Sequence, residues 1–146
     1  MLIHNNLTGE TWPETRIVIL GSHTLQNELL ASYLKDKTGF DCCCRSYTGM
    51  GTFVLDPDED STRLFLVDSR SSDFTEIWQN LNNGENINSS RGLYALCNVD
   101  KELHIESEAV ACGIRGIFYN QEPFQNFPKG IKTMITGELR FSRKFL

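Results

Sequence analysis

Short apolar runs rich in β-branched residues alternate along this chain with segments of helical periodicity. Strands are predicted over residues 16–20, 40–46, 64–68, 92–97 and 116–119. Apolar residues at helical spacing predict helices over 24–38, 74–81, 101–112 and 124–135, the last with Pro128 in its first turn. Residues 47–62 are loop-like, with a short helix near 50–55 as the alternative. Because right-handed crossovers place helices on both faces of a parallel sheet, the pattern predicts a three-layer α/β sandwich. For five strands we expect the flavodoxin-like order 2-1-3-4-5.

Composition restricts the classes of function open to this chain. With 146 residues and 40% hydrophobic residues, we expect one ordinary core. The net charge of -5 argues against direct binding of nucleic acid, which needs clustered Lys and Arg, so any contact with DNA would require another domain. No apolar run is long enough to span a membrane, and the first 14 residues do not resemble a signal peptide. We therefore expect a cytoplasmic location and no membrane partner.

The five cysteines indicate neither a disulfide framework nor a zinc site. Cys42, Cys43 and Cys44 are consecutive and would point to alternate faces of a strand, whereas Cys97 and Cys112 stand alone. The paired C-x-x-C spacing of structural zinc sites is absent. The sequence predicts reduced, mostly buried thiols.

Asp68 ends the third predicted strand, and its position is the strongest indication of a site. Ligands and reactive groups in open α/β sheets lie at the carboxyl ends of the strands. If further acids and a lysine gather around Asp68, the strand end can accept a phosphoryl group with the help of a metal ion. If they do not, Asp68 is a polar cap on a core strand.

A resemblance to a known family helps to decide between these two roles of Asp68. The run from Ala111 to Phe118, with Asp68 upstream at a strand end, resembles the receiver domain of bacterial response regulators. This resemblance implies a CheY-like receiver fold, in which Asp68 matches the aspartate that accepts a phosphoryl group from a partner kinase.

The other residues that the receiver chemistry needs do not match. The positions of the metal-binding acids are occupied by Gly21, Ser22 and His23. The expected hydroxyl falls on or near Cys97 and Asn98, and the expected lysine on residues 119–121. We therefore interpret Asp68 as an inactive phosphoacceptor position, with no catalytic residue and no bound Mg²⁺. In the alternative, Asp73 or Asp100 replaces the missing acids.

A second resemblance lies at residues 137–146, with the sequence GELRFSRKFL. It is similar to the junction G-E-x-W-[FLM]-[ST]-R-K of LuxR-type transcription regulators of the CsgD and VpsT branch. There a degenerate receiver precedes a linker helix and a helix-turn-helix domain that binds DNA. The resemblance implies an N-terminal extension over 1–14, a receiver-like domain over 15–138 and the start of the linker helix over 139–146. We expect that these 146 residues do not include the helix-turn-helix domain.

In the VpsT branch, the motif W-[FLM]-[ST]-R is implied to bind cyclic di-GMP and to couple it to dimerisation. Phe141, Ser142 and Arg143 match the motif, and Arg140 takes the tryptophan position. The guanidinium of Arg143 can hold a phosphate or a guanine edge, and that of Arg140 can stack on a purine. An Arg-Lys pair near a helix end is also an ordinary structural feature. A homodimer is expected, because one short motif offers few contacts to a bulky dianion.

Three functions remain open. The first is a regulatory and dimerisation domain of a LuxR-type regulator that works without phosphorylation and is controlled by cyclic di-GMP. The second is a conventional phospho-receiver of a two-component system that uses Asp68, and the third is a ligand-independent protein-interaction module. An enzyme is not expected, because no glycine-rich phosphate loop follows the first strand and no nucleophile and base can be paired.

Overall fold

A short antiparallel pair of strands precedes the main sheet. In a computed structural model of the chain, which describes residues 3–5, 11–46, 62–71, 73–83 and 92–141, β1 (Ile3–Asn5) pairs with β2 (Thr11–Pro13). The sequence interpretation assigned this region only to an extension, because strands of three residues are too short to show an alternating pattern. The short helix considered near 50–55 lies outside the described residues.

The five predicted strands form one parallel sheet. They are β3 (Thr15–Leu20), β4 (Asp41–Arg45), β5 (Thr62–Asp68), β6 (Gly92–Val99) and β7 (Gly116–Tyr119). Their order in the sheet is β4-β3-β5-β6-β7, with every neighbouring pair parallel. The predicted order 2-1-3-4-5 and the flavodoxin-like, CheY-like receiver fold are therefore confirmed.

The described helices are α1 (Thr24–Thr38), α2 (Phe74–Asn83), α3 (Glu106–Ala111) and α4 (Asn126–Ile135). The helix predicted over 101–112 is wrong in its first half, which is a 3₁₀ turn over Lys101–Leu103. His104 follows the turn with a φ of 50°, in the left-handed region, and interrupts the helix. Leu103, at the end of the 3₁₀ turn, is exposed. Among the described helices, none is both long and apolar enough to cross a membrane.

The core has two halves, one on each face of the sheet. Side chains of α1 and α4, including Leu30, Leu34 and Ile131, pack on one face. Ile77 of α2 and Ala109 of α3 pack on the other. Consecutive strand residues contribute to alternate halves because side chains of a strand point to alternate faces. The result is a three-layer sandwich.

The cysteines are free, but they are less buried than predicted. Cys97 on the interior strand β6 is buried, whereas the other four are half-buried. Three of these lie on β4, which is at an edge of the five-stranded sheet and is covered less completely. Burial, with a contribution from the charge of Asp41, raises the pKa of the Cys42 thiol to about 12.

A close approach between α4 and β7 depends on Gly130. A Cβ atom at this position would lie 2.6 Å from Cε1 of Phe118 and 3.0 Å from Nε of Arg140. No ordinary carbon contact is that short, so the ring or the helix would have to move.

We predict that Gly130→Ala destabilises the domain. Overpacking costs about 1–3 kcal/mol, which exceeds the gain of about 1 kcal/mol in helix propensity. Urea denaturation followed by circular dichroism measures the difference, and Lys129→Ala, at an exposed position in the same helix, serves as the control. A Gly130→Ala variant more stable than the natural chain would contradict the packing described above.

Candidate functional site

Asp68 lies at the carboxyl end of the central strand β5, where it pairs in register with Cys97 of β6. Its side chain is fully buried, with 0% of its surface exposed. A buried carboxylate is costly unless hydrogen bonds and an opposite charge compensate for the loss of water. The partners of Asp68 therefore determine what this residue can do.

Arg70 binds both oxygens of the Asp68 carboxylate. Its Nε donates to Oδ1 at 3.0 Å and its Nη2 donates to Oδ2 at 2.8 Å. The backbone N–H of Arg70 also donates to Oδ1, at 3.1 Å. The 3₁₀ turn Ser69–Ser71 makes this possible, because it folds the chain back over the end of β5. A bidentate pair of this kind is among the stronger polar interactions in proteins.

Two further side chains approach the same carboxylate. Asn98 donates from Nδ2 to Oδ1 at 3.2 Å, and Nδ1 of His23 lies 3.6 Å from Oδ2. Asn98 has a φ of 59° at an irregularity in the pairing of β6 with β7. This left-handed conformation, which asparagine tolerates better than most residues, turns its amide toward Asp68.

These contacts keep Asp68 ionised. Burial by itself raises the pKa of the carboxyl group, but the hydrogen bonds and charge of Arg70, with the bond from Asn98, outweigh burial and hold the pKa below its ordinary value. Burial also raises the pKa of the neighbouring Cys97 thiol. The strand end therefore combines a carboxylate, a guanidinium and a neutral thiol.

The two acids considered as replacements for the missing metal ligands have other roles. Asp73 accepts a hydrogen bond from the N–H of Glu76 in the first turn of α2, and Asp100 accepts one from the N–H of Glu102 in the following 3₁₀ turn. Both are helix-capping interactions. Within the described ranges, no three His, Cys, Asp or Glu side chains cluster in a way that could hold a metal ion.

The C-terminal junction, residues 138–141, continues from α4 onto the edge strand β7. The N–H of Arg140 donates to the carbonyl of Arg115, and the carbonyl of Arg140 accepts from the N–H of Ile117. Arg140 thereby forms a parallel bridge with Gly116. Residues 139–141 are not helical, because the backbone N–H and carbonyl of Arg140 pair with the edge of the sheet instead. The rest of the linker helix predicted over 139–146 lies outside the described residues and stays a prediction.

The side chain of Arg140 is directed into the domain. Its Nη1 donates to the carbonyl of Ile117 at 2.6 Å and to Oε1 of Glu122 at 2.7 Å, and its Nη2 donates to Oε2 of Glu122. The guanidinium carbon lies 4.4 Å from the ring centroid of Phe118, in cation-π geometry. Burial raises the pKa of Glu122, but the bonds from Arg140 and from the N–H of Tyr119 outweigh it and hold the pKa below its ordinary value. We call this arrangement the Arg140 latch.

The other residues of the four-residue motif divide into two groups. Phe141 is buried and belongs to the core half that α2 and α3 cover, on the opposite face of the sheet from the Arg140 latch. Ser142 and Arg143 lie outside the described residues. The nucleotide-binding role of the four residues stays a prediction.

Sequence reasoning did not assign roles to Arg70, Asn98 or Glu122. Arg70 could have been found, because an arginine two residues after a strand-ending aspartate can fold back onto it through one turn. Glu122 carried no such signal, because it lies 18 positions from Arg140 and only the folded chain brings the two together.

Comparison with known proteins finds similarity of structure. No protein-family model matches the chain, and no curated protein matches its sequence. The regulatory domain of the master biofilm regulator CsgD superposes with a TM-score of 0.67 at 20% identity, over 88% of this chain and 93% of that one. A LuxR family DNA-binding response regulator from Silicibacter pomeroyi gives 0.65 at 17% identity, over 89% and 98%. The isolated REC domain of RcsB from Salmonella enterica serovar Typhimurium gives 0.67 at 12% identity, over 88% and 92%.

These similarities define the class of fold. Together with the strand order, they show that this chain has the CheY-like, flavodoxin-like receiver fold. At the end of its central strand lies the carboxylate of Asp68, which Arg70 of the same chain binds.

We predict that Arg70→Ala destabilises the domain in a manner that depends on pH. The folded-state pKa of Asp68 is lowered, so its stabilising contribution is present above the unfolded-state pKa of about 3.9 and is lost as the pH falls through the folded-state value. The loss caused by the substitution should be about 1–3 kcal/mol near neutral pH and should shrink below about pH 4.

Urea denaturation between about pH 3.5 and pH 7.5 measures this effect. In an Asp68→Asn background, where the carboxylate is absent, Arg70→Ala should have a smaller effect that does not vary with pH. An equal loss at every pH in the natural background would mean that Arg70 contributes only through packing.

Proposed function

We propose that this chain is the regulatory domain of a LuxR-type transcription regulator and that it works without phosphorylation. The observation that carries the proposal is the bidentate bond between Arg70 and the buried carboxylate of Asp68. The chain would act on DNA through a separate helix-turn-helix domain, in keeping with its net charge of -5. The structural similarity to the CsgD regulatory domain and to a LuxR family DNA-binding response regulator supports this class.

The proposal that Asp68 is not phosphorylated follows from what phosphoryl transfer requires of a carboxylate. An accepting carboxylate must offer a free oxygen, and a divalent cation with a second cation must balance the charge of the moving group. At Asp68 both oxygens already bind Arg70, and the side chain is fully buried. The positions that carry metal-binding acids in receivers are Gly21, Ser22 and His23. In this proposal Arg70 supplies, next to the carboxylate, the positive charge that a metal ion would supply in a phosphorylated receiver.

A signal that does not use Asp68 can reach a following domain through the junction. Arg140 and Phe141 anchor residues 138–141 on opposite faces of the sheet, next to α4 and β7. A ligand or a second copy of the chain that changed this anchorage would also change the direction in which the chain leaves the domain. Dimerisation is therefore part of the proposed function.

We predict that a phosphate mimic does not bind at Asp68. Addition of Mg²⁺ and beryllofluoride should leave the amide resonances of Asp68, Arg70 and Asn98 unchanged in two-dimensional NMR spectra, because Arg70 occupies the carboxylate. Asp68→Asn under the same additions is the control. Saturable shifts in the natural chain that disappear in Asp68→Asn would establish a conventional phospho-receiver instead.

Cyclic di-GMP is the ligand that we propose for the junction. The motif that resembles the VpsT branch comprises Arg140, Phe141, Ser142 and Arg143. Arg140 is held in the latch and Phe141 in the core, so these two residues would position the following Ser142 and Arg143. Ser142 and Arg143 would then contact the nucleotide, Arg143 through its planar guanidinium.

We predict that cyclic di-GMP binds with a dissociation constant of about 1–100 μM and that Arg143→Ala weakens binding at least about tenfold. Isothermal titration calorimetry measures the affinity. Lys144→Ala is the matched control, because it removes an adjacent positive charge outside the motif and should change affinity by less than about threefold.

A third variant separates the two roles of Arg140. Glu122→Gln weakens the latch. It should lower the affinity for cyclic di-GMP if Arg140 only positions Ser142 and Arg143, and raise this affinity if Arg140 itself contacts the nucleotide. No heat at high micromolar nucleotide, with the natural chain folded, would leave the ligand-independent interaction module as the better account.

A further inference from the structure

Strand β4 lies at an edge of the main sheet, with β3 on its inner side. Along the part of the chain that the structure describes, no strand pairs with the outer side of β4, and the β1–β2 pair forms a separate sheet. The backbone groups on an edge of this kind are a ready template for another strand. The residues of β4 therefore decide which strand can pair with it.

The register of β4 fixes which of its backbone groups point outward. The carbonyl of Arg45 accepts a hydrogen bond from the N–H of Gly21 at 3.1 Å, so the backbone groups of Arg45 face β3. Because successive residues of a strand direct their backbone groups to opposite sides, those of Cys42 and Cys44 point away from the sheet. The outer edge of β4 therefore offers an N–H and a carbonyl from each of these two cysteines.

We propose that the outer edge of β4 pairs antiparallel with the same edge of a second copy, so that the two main sheets become continuous. With the two-fold axis at Cys43, Cys42 of each copy lies opposite Cys44 of the other. These two residues carry the outward backbone groups, so each such pair exchanges two hydrogen bonds. An antiparallel pair of identical strands has the two-fold symmetry expected of a homodimer.

The charges of β4 select this register. Asp41 begins the strand and Arg45 ends it, and both are exposed. In the pair centred on Cys43, Asp41 of each copy lies directly opposite Arg45 of the other, and opposite charges in such positions stabilise a pair of strands. Asp41 also lies 3.4 Å from Nε of Arg16 in its own copy, so its carboxylate would lie between two guanidinium groups. A shift by two residues, the smallest that keeps the hydrogen-bonding alternation, separates Asp41 from Arg45.

The charges of α1 beside β4 fit the same register. Burial raises the pKa of the Cys44 thiol, and the nearby charge of Glu28 adds to this effect. Burial also raises the pKa of the Cys42 thiol, and there the nearby charge of Lys35 acts in the opposite direction. Since Cys42 lies opposite Cys44 of the other copy, Lys35 of each copy is brought to the side of Glu28 of the other. The remaining charged residues of α1 form an ion pair with each other, Asp36 with Lys37.

The small size of a strand edge sets the expected strength of association. An interface of this kind falls at or below the low end of specific protein interfaces, so we expect a reversible dimer with a dissociation constant of about 100 μM. The inference rests on the proposed function only in giving its dimerisation a surface. Strand β4 lies at the opposite edge of the sheet from β7, to which the junction is bridged, so the pairing does not involve residues 140–143.

Cross-linking through Cys43 tests the register. The two Cys43 residues form a non-hydrogen-bonded pair, with Cα atoms about 4.5 Å apart, which is within the range of a disulfide. Diamide, which takes up the two electrons and two protons of the thiols, should therefore link two copies of the natural chain. Cys43→Ser should lower the yield of linked dimer at least about threefold. Cys112→Ser, which removes a half-buried cysteine outside β4, is the control and should not lower it.

Sedimentation velocity under reducing conditions measures association without cysteine chemistry. Arg45→Asp should raise the dissociation constant at least about tenfold, because it places two carboxylates opposite each other at both ends of the pair. Lys129→Asp, the same change of charge at an exposed position of α4, should change the constant by less than about threefold. Asp41→Arg combined with Arg45→Asp exchanges the opposite charges, so this double variant should associate more tightly than Arg45→Asp alone.

Three results would overturn the proposal. One is a natural chain that stays monomeric at about 1 mM, tenfold above the expected dissociation constant. The others are equal losses in Arg45→Asp and Lys129→Asp, and a linked dimer that forms as well in Cys43→Ser as in the natural chain. Circular dichroism of each variant separates a loss of pairing from a loss of folding. Cyclic di-GMP is left out of both measurements, so a negative result leaves the ligand proposed for the junction to the calorimetric titration.

Discussion

A buried negative charge at the end of the central strand has to be balanced, and the way in which this chain balances it shapes the rest of the site. An unpaired carboxylate at the fully buried position of Asp68 would cost several kcal/mol or would have to be protonated. Receivers that bind a metal ion meet this requirement with a bound cation. Here Arg70 meets it within one turn of the same chain, and Asn98 adds a second donor. The positive charge that balances Asp68 is therefore supplied by a residue of the same chain.

Most of the fold could be predicted from the sequence, because its pattern is repetitive. Five apolar runs with β-branched residues fix the strands, and the chirality of crossovers leaves few orders for the sheet. Local conformations that depend on single residues were not predictable in the same way. The left-handed His104 divides the helix predicted over 101–112, and nothing in the spacing of its apolar residues indicates this. The orientation of α1 was also ambiguous, since apolar residues lie on both of its sides and only packing selects Leu30 and Leu34 over Leu25 and Leu29.

The candidate site could be predicted only in part, because some of its contacts also depend on local conformations of single residues. Asp68 is recognisable by its place at a strand end, and the missing acids at positions 21–23 are visible in the sequence. Its partner Arg70 could have been recognised from its place two residues further on, in the turn Ser69–Ser71. The approach of Asn98 depends on its left-handed backbone, which has no clear sequence signature. The contacts at the junction could also be predicted only in part. A comparison of motifs identifies Arg140 as a departure from tryptophan, but only the folded chain pairs it with Glu122 and with the ring of Phe118.

The bridge between Arg140 and Gly116 also gives the domain a stiff exit. The N–H and the carbonyl of Arg140 are hydrogen-bonded to Arg115 and Ile117, and the side chains of Arg140 and Phe141 are fixed on opposite faces of the sheet. A chain held in this way cannot rotate freely about its own axis at the point where it leaves the domain. In a two-fold pair of such domains, the separation and relative orientation of the two exit points would be set by the pairing itself. Under the proposed function, two DNA-binding domains carried on those exits would be matched to half-sites of one particular spacing.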